Sequence, residues 1–258
     1  MLLAIDIGNT NITLGLWRND EWALSWRART VTDKTTDEYA VLVRNFLNSA
    51  DVGYKAIDGV IISCVVPPLT MTFTELVRRY FDTEPVVVSS TINTGVVINI
   101  DQPEQSGADR IANASAVVNL YGGGPAIVVD FGTSTNFDVV SAQNEYIGGA
   151  LAPGIGVAHD ALVSRAAKLH KVELVPPPTP IGRNTIHAMQ SGIFWGYVSL
   201  VEGIVTRIKG ELASDKTQVI ATGGLAVHFD KHTGVIDKIV PNLTLDGLRV
   251  MYGLNKSG

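Results

Sequence analysis

The chain has 258 residues, of which 46% are hydrophobic and 17% charged, and its formal net charge is −5. That length and composition suit one large or two modest folded domains and exclude a disordered chain. The acidic balance, with no run of lysine or arginine, argues against nucleic acid as the main partner and favours small-molecule ligands.

The same features predict a cytoplasmic protein with no membrane segment. The first residues, MLLAID, contain no basic segment and too short an apolar stretch for a signal peptide. No run approaches the roughly 18 consecutive apolar residues of a membrane span. Cys64 is the single cysteine, so an intrachain disulfide is impossible, and its apolar surroundings favour a small buried core residue.

The N-terminal segment predicts two strands joined by a tight turn. Residues 3–14 read LAIDIGNTNITL, in which an apolar run delivers Asp6 and then Gly8 before an apolar pattern resumes. Gly8 permits the turn and the close approach of a phosphate to backbone amides, while Asn9 and Thr10 supply neutral donors. Taken alone, the segment favours an ordinary hairpin with turn-forming residues.

The pattern recurs 124 residues later. Residues 127–139 read IVVDFGTSTNFDV, with Asp130 at the strand end, Gly132 in the turn, and Thr133 and Ser134 as donors. A carboxylate repels a phosphate, but it can hold a cation that binds one. The repetition therefore favours a pair of metal-assisted phosphate sites over two unrelated hairpins.

Each half also carries a later apolar strand that ends in small residues. These strands read GVIISC at 59–64 and QVIATGGL at 218–225. Two halves with one plan indicate duplicated domains, which we expect at residues 1–115 and 116–258. The pattern resembles the actin, sugar kinase and Hsp70 superfamily. That resemblance implies an α/β fold of two ribonuclease-H-like domains, with mixed five-stranded sheets flanked by helices and ATP in the cleft between them.

Apolar periodicity and start signals predict five longer helices. We expect them at residues 36–50, 69–81, 106–120, 157–169 and 184–212. The last helix carries four glycines at near-helical spacing, which predicts a close approach to another helix, within the chain or across a dimer.

The segment GADR at 107–110 begins the third predicted helix and has two interpretations. In the first, Ser106 and Asp109 form a capping pair: the side chain of each accepts a hydrogen bond from the backbone N–H of the other, and Arg110 is exposed to solvent. In the second, Asp109 accepts the proton of a substrate hydroxyl and Arg110 holds a substrate carboxylate. The residues by themselves leave both interpretations open.

Ten motifs in order resemble the type III pantothenate kinase family and extend over nearly the whole chain. They are DIGNTN at 6–11, KTTDEY at 34–39, SCVVPP at 63–68, GADR at 107–110, VDFGTSTNFD at 129–138, GGALAPG at 148–154, SRAAKL at 164–169, NT at 184–185, MQSGIFWGY at 189–197 and ATGGLA at 221–226.

The resemblance implies transfer of the γ-phosphoryl group of ATP to the primary hydroxyl of pantothenate, giving 4'-phosphopantothenate on the route to coenzyme A. It implies that Asp109 is the general base and that Asp130 binds a monovalent cation, potassium or ammonium, with Mg²⁺ accompanying the nucleotide. It also implies a homodimer. The implied ATP-binding residues are Asp6, Gly8, Asn9, Thr10, Asn11, Thr13 and Thr133, and the implied substrate-binding residues are Ile100, Gly107, Ala108, Asp109, Arg110 and Thr185.

One position departs from the family. At Ile100 the family often has a tyrosine that covers the pantothenate, so here the contact would be apolar and without a hydroxyl. Two other functions stay open at this point: a kinase for another small hydroxylated acceptor, and a non-catalytic accessory or regulatory protein on the same scaffold. Retention of four charged residues, Asp6, Asp109, Arg110 and Asp130, argues against the second.

Overall fold

The computed structural model describes residues 1–256, which form two compact units. Unit 1 contains residues 1–123, residues 144–146 and the described residues from Leu243 onward. Unit 2 contains residues 124–143 and 147–242. The expected domain bounds, 1–115 and 116–258, stay a prediction, and compactness assigns the C-terminal segment to the first unit instead.

Unit 1 begins with a sheet and the helices that flank it. Its elements are β1 (Leu2–Ile7), β2 (Asn11–Arg18), β3 (Glu21–Arg29), α1 (Thr36–Asn48), β4 (Gly59–Cys64), α2 (Pro67–Phe81), β5 (Val86–Val87), β6 (Val97–Ile98) and α3 (Ala108–Leu120), with short 3₁₀ turns at Tyr54–Ala56 and Pro103–Gln105.

The unit-1 sheet has the order β3-β2-β1-β4-β5 and is mixed. Strand β1 lies at its centre, antiparallel to β2 and parallel to β4. Its aliphatic residues 2–5 are fully or nearly fully buried because helices cover both faces of the sheet. Asp6 therefore lies at the carboxyl end of the central strand.

The pleat of β1 decides which face Asp6 occupies. Leu3 and Ile5 pack into the cluster formed with α1 and α2, whereas Leu2 and Ala4 pack into the cluster formed with α3. Because successive side chains of a strand point to opposite faces, Asp6 lies on the α3 face.

Unit 2 repeats the plan. Its elements are β7 (Ala126–Phe131), β8 (Ser134–Val140), β9 (Glu145–Pro153), α4 (Ile155–Arg165), α5 (Thr185–Leu212), β10 (Gln218–Thr222), α6 (Ala226–Phe229), a 3₁₀ turn at Asp230–His232 and β11 (Lys238–Ile239). The strand order β11-β10-β7-β8-β9 corresponds to that of unit 1, with β7 antiparallel to β8 and parallel to β10. The duplication expected from the two sequence patterns is present. The second sheet has six strands rather than the expected five, because β6 pairs with Glu145 and Tyr146 at the start of β9, two residues that belong to unit 1.

The C-terminal helix, α7 (Leu243–Asn255), packs on α3 in unit 1. The contact is so close that a Cβ at Gly247 would overlap the backbone of Ala112. Leu245, Leu248 and Met251 complete the apolar cluster on the α3 face of the sheet. Helix α3, whose first turn carries Asp109, is therefore fixed by contacts with both the sheet and α7, which also packs on the sheet.

Three predicted helices begin two residues away from the expected start, and the first of them, α2, begins at Pro67 and not at Leu69. Helix α3 begins at Ala108 and not at Ser106, and α4 spans Ile155–Arg165 and not 157–169. The long helix agrees closely with its prediction, since α5 begins at Thr185 after Asn184, whose side chain accepts a bond from the backbone N–H of His187. Within residues 1–256, none of the helices has the length and apolarity to cross a membrane.

Candidate active site

The turn after β1 is fixed by hydrogen bonds to its backbone, and its tip is exposed. The N–H of Gly8 donates to the carbonyl of Asn11 at 3.0 Å, and the hydroxyl of Thr30 donates to the carbonyl of Gly8 at 2.7 Å. Asn9, Thr10 and Asn11 are exposed, and Thr13 lies opposite Asp6 in the antiparallel register. The turn thus presents neutral polar groups beside one carboxylate, as a phosphate-binding turn requires.

The carboxylate of Asp6 is held from the neighbouring parallel strand. Ser63 on β4 stands opposite Asp6 in the register, and its hydroxyl donates to Asp6 Oδ1 at 2.8 Å. Ser63 is completely buried, whereas Asp6 is partly exposed. Sequence reasoning quoted the SCVVPP motif without assigning Ser63 a contact, because the bond depends on strand register.

Asp109 lies in the first turn of α3, at the end of the helix where backbone N–H groups are unpaired. The helix N-cap is Gly107, without a side-chain cap, so the capping pair of Ser106 and Asp109 considered above is wrong. Instead, Asp109 Oδ1 accepts the backbone N–H of Arg110 at 2.8 Å, and the buried hydroxyl of Ser106 makes no hydrogen bond. A Cβ at Gly107 would lie 2.5 Å from Asp109 Oδ1, which explains the glycine.

The pKa values of Asp6 and Asp109 are both raised, and the charge of Asp109 contributes to the rise at Asp6. Burial, reinforced by repulsion from Asp109, raises the pKa of Asp6 to about 7, although the bond from Ser63 opposes the rise. Burial also raises the pKa of Asp109, while the backbone N–H and the guanidinium of Arg110 oppose it. Two acids with raised pKa values, one at a strand end and one in the first turn of a helix, are typical of a functional site.

The Asp6 carboxylate has the chemistry that suits a hard divalent cation. Carboxylate oxygens are the ligands that Mg²⁺ prefers, and a cation beside Asp6 would relieve the burial and repulsion that raise its pKa. Mg²⁺ usually binds one or two carboxylates together with substrate phosphates, and the exposed turn at 8–11 leaves room for them.

The side chain of Arg110 is placed by an aromatic ring. Its guanidinium lies 5.9 Å from the ring centroid of Tyr146, which is buried in unit 1. Ile100 follows β6 and is partly buried. The backbone N–H of Asn99 donates to the carbonyl of Tyr146 at 2.8 Å, so the segment that carries Ile100 is bonded to the residue that stacks on Arg110. Sequence reasoning did not single out Tyr146.

The second turn, in unit 2, repeats the first. The N–H of Gly132 donates to the carbonyl of Ser134 at 3.0 Å, and Asp130 pairs with Asn136 on β8. Thr133 is exposed at the tip, and its carbonyl accepts the N–H of Gly154, the N-cap of α4, at 3.0 Å. The turn therefore lies beside the N-terminus of α4, where the helix dipole favours an anion.

Glycine at position 223 leaves space for the carboxylate of Asp130. Its φ is +90°, and a Cβ there would lie 2.7 Å from Asp130 Oδ1. Thr222 stands opposite Asp130 in the parallel register of β7 and β10, as Ser63 stands opposite Asp6.

Burial and the nearby Asp130 charge raise the pKa of Tyr197 to about 12, while the hydrogen bond with Thr135 lowers it.

Thr185 occupies a different part of unit 2. It is the exposed first residue of α5 and lines a cavity of about 840 Å³ between α4 and α5. The cavity wall is largely apolar and includes Leu162, Met189 and two helix glycines, Gly192 and Gly196. The predicted residues thus form a unit-1 group around Asp6 and Asp109 and a unit-2 group around Asp130, with Thr185 on a cavity of unit 2 whose wall also includes Ile155 and Tyr197.

The solved structures that resemble this chain confirm the fold. A Campylobacter jejuni structure described as a conserved Baf family transcriptional activator has a TM-score of 0.62 at 17% identity and covers 98% of each chain. A Sinorhizobium meliloti structure described as a 2-dehydro-3-deoxygalactonokinase has a TM-score of 0.56 at 12% identity, covering 100% of this chain and 98% of that one. At such identities the likeness shows the α/β fold alone.

The sequence comparisons go further. A type III pantothenate kinase of Roseiflexus sp. strain RS-1 is 51% identical over 257 residues, 100% of each chain. Another, from Moorella thermoacetica, is 49% identical over 255 residues, 99% of this chain and 100% of the relative. The sequence profile of the same family matches residues 2–207. With most of its length matched in this way, the chain belongs to the type III pantothenate kinase family.

Proposed function

We propose that Asp109 is the general base with which this kinase transfers the γ-phosphoryl group of ATP to the primary hydroxyl of pantothenate. The activity itself, ATP-dependent phosphorylation of pantothenate in coenzyme A biosynthesis, follows from the family. The position of Asp109 supports the proposed role, because its carboxylate lies at the N-terminus of α3 and interacts electrostatically with Asp6 beside the phosphate-binding turn.

The reaction needs one proton acceptor. The acceptor oxygen forms a bond to the γ-phosphorus, the bond to the ADP oxygen breaks, and the hydroxyl proton passes to the Asp109 carboxylate. Burial raises the pKa of Asp109, which makes it a stronger base than an exposed aspartate. In a loose transition state the hydroxyl becomes acidic late, so a carboxylate suffices.

Arg110 binds the carboxylate of pantothenate in this proposal. A guanidinium can hold a carboxylate through two parallel hydrogen bonds, and the Tyr146 ring limits where this one can point. Gly107 and Ala108, in the same segment, also contact pantothenate in this proposal. Ile100 supplies an apolar contact where the family often has a tyrosine. Thr185 adds a further substrate contact.

The two turns serve the nucleotide. Asp6 and the polar residues of its turn, Gly8, Asn9, Thr10, Asn11 and Thr13, hold the phosphates in this assignment, and Thr133 holds them from the second turn. Mg²⁺ bound with the nucleotide neutralises phosphate charge. In this assignment Asp130 holds a monovalent cation, K⁺ or NH₄⁺, and the missing Cβ at Gly223 allows its carboxylate to lie at the end of β7.

We also propose a homodimer in the cytoplasm, where ATP is available. Three apolar side chains of unit 2, Leu151, Leu162 and Ile186, are between 40% and 68% exposed, and exposed apolar surface of this kind is typical of an interface. Light scattering tests the dimer. Ile186→Asp should shift the mass toward a monomer, whereas Val41→Asp on α1, which is 61% exposed, should not.

The base is tested by Asp109→Asn. We expect kcat to fall by about 10²- to 10⁴-fold with ATP affinity unchanged, because the amide keeps the bond to the Arg110 N–H but accepts no proton. Glu104→Gln, an exposed change in the preceding turn, is the matched control. Unchanged turnover in the Asn variant would overturn the assignment of the base.

The acceptor site is tested with pantothenate and its alcohol analogue, panthenol, which lacks the carboxylate. We expect Arg110→Ala to raise KM for pantothenate about tenfold or more and to reduce the preference for pantothenate over panthenol. A change confined to the KM for ATP would contradict the proposed role of Arg110.

A further inference from the structure

Ser63 is a buried hydroxyl in an otherwise apolar strand. It follows Val60, Ile61 and Ile62 on β4, and all four residues have no exposed surface. A hydroxyl in such a place is unfavourable unless it makes a hydrogen bond. Its bond is to Asp6 Oδ1, at 2.8 Å. The side chain therefore has a single described partner, and that partner is the acid at the phosphate-binding turn.

The strand register fixes this contact. β1 and β4 are parallel and pair Ala4 with Ile61 and Asp6 with Ser63. Ala4 and Ile61 both belong to the apolar cluster on the α3 face, so the two polar residues that follow at the same spacing lie on that face as well. The backbone register thus places the Ser63 hydroxyl beside the Asp6 carboxylate, independently of any ligand.

The duplicated unit places a hydroxyl residue in the same position. Thr222 on β10 pairs with Asp130 on β7 in parallel register, and it is 2% exposed. Each strand-end acid of the chain therefore has a buried Ser or Thr beside it on the parallel neighbour. The repeat therefore places a buried hydroxyl residue opposite the strand-end acid in both units.

We propose that Ser63 is a positioning residue for the phosphoryl transfer: its hydroxyl holds Asp6 through Oδ1 and leaves Oδ2 to the magnesium nucleotide. This inference rests on the proposed role of the Asp6 turn in binding ATP. A carboxylate held by a buried donor loses rotational freedom before the ligand arrives, so less is lost on binding. Ser63 itself touches neither the nucleotide nor the acceptor.

The test compares Ser63→Ala with Ser63→Thr. Alanine removes the donor, whereas threonine keeps it, and Thr222 shows that a threonine is accommodated at the equivalent position of the repeat. Ser115→Ala is the matched control, because the Ser115 hydroxyl is also fully buried in unit 1 but makes no hydrogen bond.

Two measurements separate positioning from a structural role. In calorimetric titration with ADP, we expect Ser63→Ala to lose about tenfold in affinity when Mg²⁺ is present and to equal the wild type in EDTA. In steady-state kinetics, KM for Mg-ATP should rise while KM for pantothenate stays within about twofold. Ser63→Thr should restore both values.

Several results would overturn the inference. They are an unchanged affinity for Mg-ADP in Ser63→Ala, an equal loss in Ser115→Ala, and a loss that persists in EDTA. Should the alanine variant fail to fold, Ser63→Cys keeps the side-chain size with a weaker donor, and wild-type affinity in that variant would also overturn it. In each case the turnover of Asp109→Asn would still test the proposed base, independently of the result for Ser63.

Discussion

Because the pKa of Asp6 is raised, we predict that the stability of the folded protein depends on pH even without substrate. In the folded chain, burial and the Asp109 charge raise the pKa from 3.8 to about 7. A carboxyl group with a raised pKa binds its proton more tightly when folded, so the folded state loses stability as pH rises. The penalty is absent below pH 3.8, grows between pH 3.8 and pH 7, and is complete above pH 7.

The size of this penalty follows from the shift. Each pKa unit corresponds to about 1.4 kcal/mol, so a shift from 3.8 to about 7 corresponds to about 4 kcal/mol at pH 8. Asp6→Asn removes the charge and keeps an oxygen that accepts the Ser63 hydroxyl. We therefore expect the variant to gain stability over the wild type as pH rises, by up to about 4 kcal/mol.

The assay is urea unfolding in EDTA without nucleotide, between pH 4.5 and pH 8.5. Three of the four tryptophans, Trp17, Trp22 and Trp26, belong to unit 1, so tryptophan fluorescence reports mainly on the unit that contains Asp6. Asp215→Asn, an exposed change in unit 2, serves as the control and should leave the pH profile unchanged. Parallel pH profiles for wild type and Asp6→Asn would refute the reasoning.

Two further substitutions test how Gly223 and Asp246 contribute to the free energy of unfolding. Gly223→Ala should lower the free energy of unfolding by about 2 kcal/mol or more, because φ is +90° and a Cβ would lie 2.6 Å from a backbone carbonyl oxygen. Gly234→Ala, where a Cβ meets nothing, should cost little in the same urea titration. Asp246→Asn should lower the free energy of unfolding by about 1–3 kcal/mol, since its two oxygens accept the Trp22 indole N–H at 2.8 Å and the Tyr121 hydroxyl at 2.6 Å. Wild-type stability in that variant would show that neither bond matters.

The sequence predicted the parts of the site that are local. A strand that ends in an aspartate and turns at a glycine within a few residues has one structural interpretation, so the turns at Asp6 and Asp130 were found directly. The repeat then predicted the duplicated sheets, since the same alternation of apolar and polar residues specifies the same register.

The sequence could not predict what depends on distant pairing. Ser63 is 57 residues from Asp6, and their bond follows only from the parallel register of β1 and β4. Helix α7 returns to unit 1 because Gly247 fits against Ala112, which no local pattern indicates. The predicted start of α3 was wrong for a local reason: the Asp109 carboxylate accepts the N–H of the next residue, and Gly107 is the N-cap instead of Ser106.

The duplication also explains how one plan can serve two chemical roles. In both units the strand-end acid has a polar residue on the antiparallel neighbour and a hydroxyl residue on the parallel one. Unit 1 adds α3, whose first turn places Asp109 close enough to raise the pKa of Asp6. In unit 2 the residue that lies against the Asp130 carboxylate is Gly223, which has no side chain. The second carboxylate of unit 1 suits a proton-accepting step next to a magnesium nucleotide, whereas Asp130 is the carboxylate proposed to hold a monovalent cation. The difference between the two proposed roles therefore comes from what surrounds each acid and not from the acid itself.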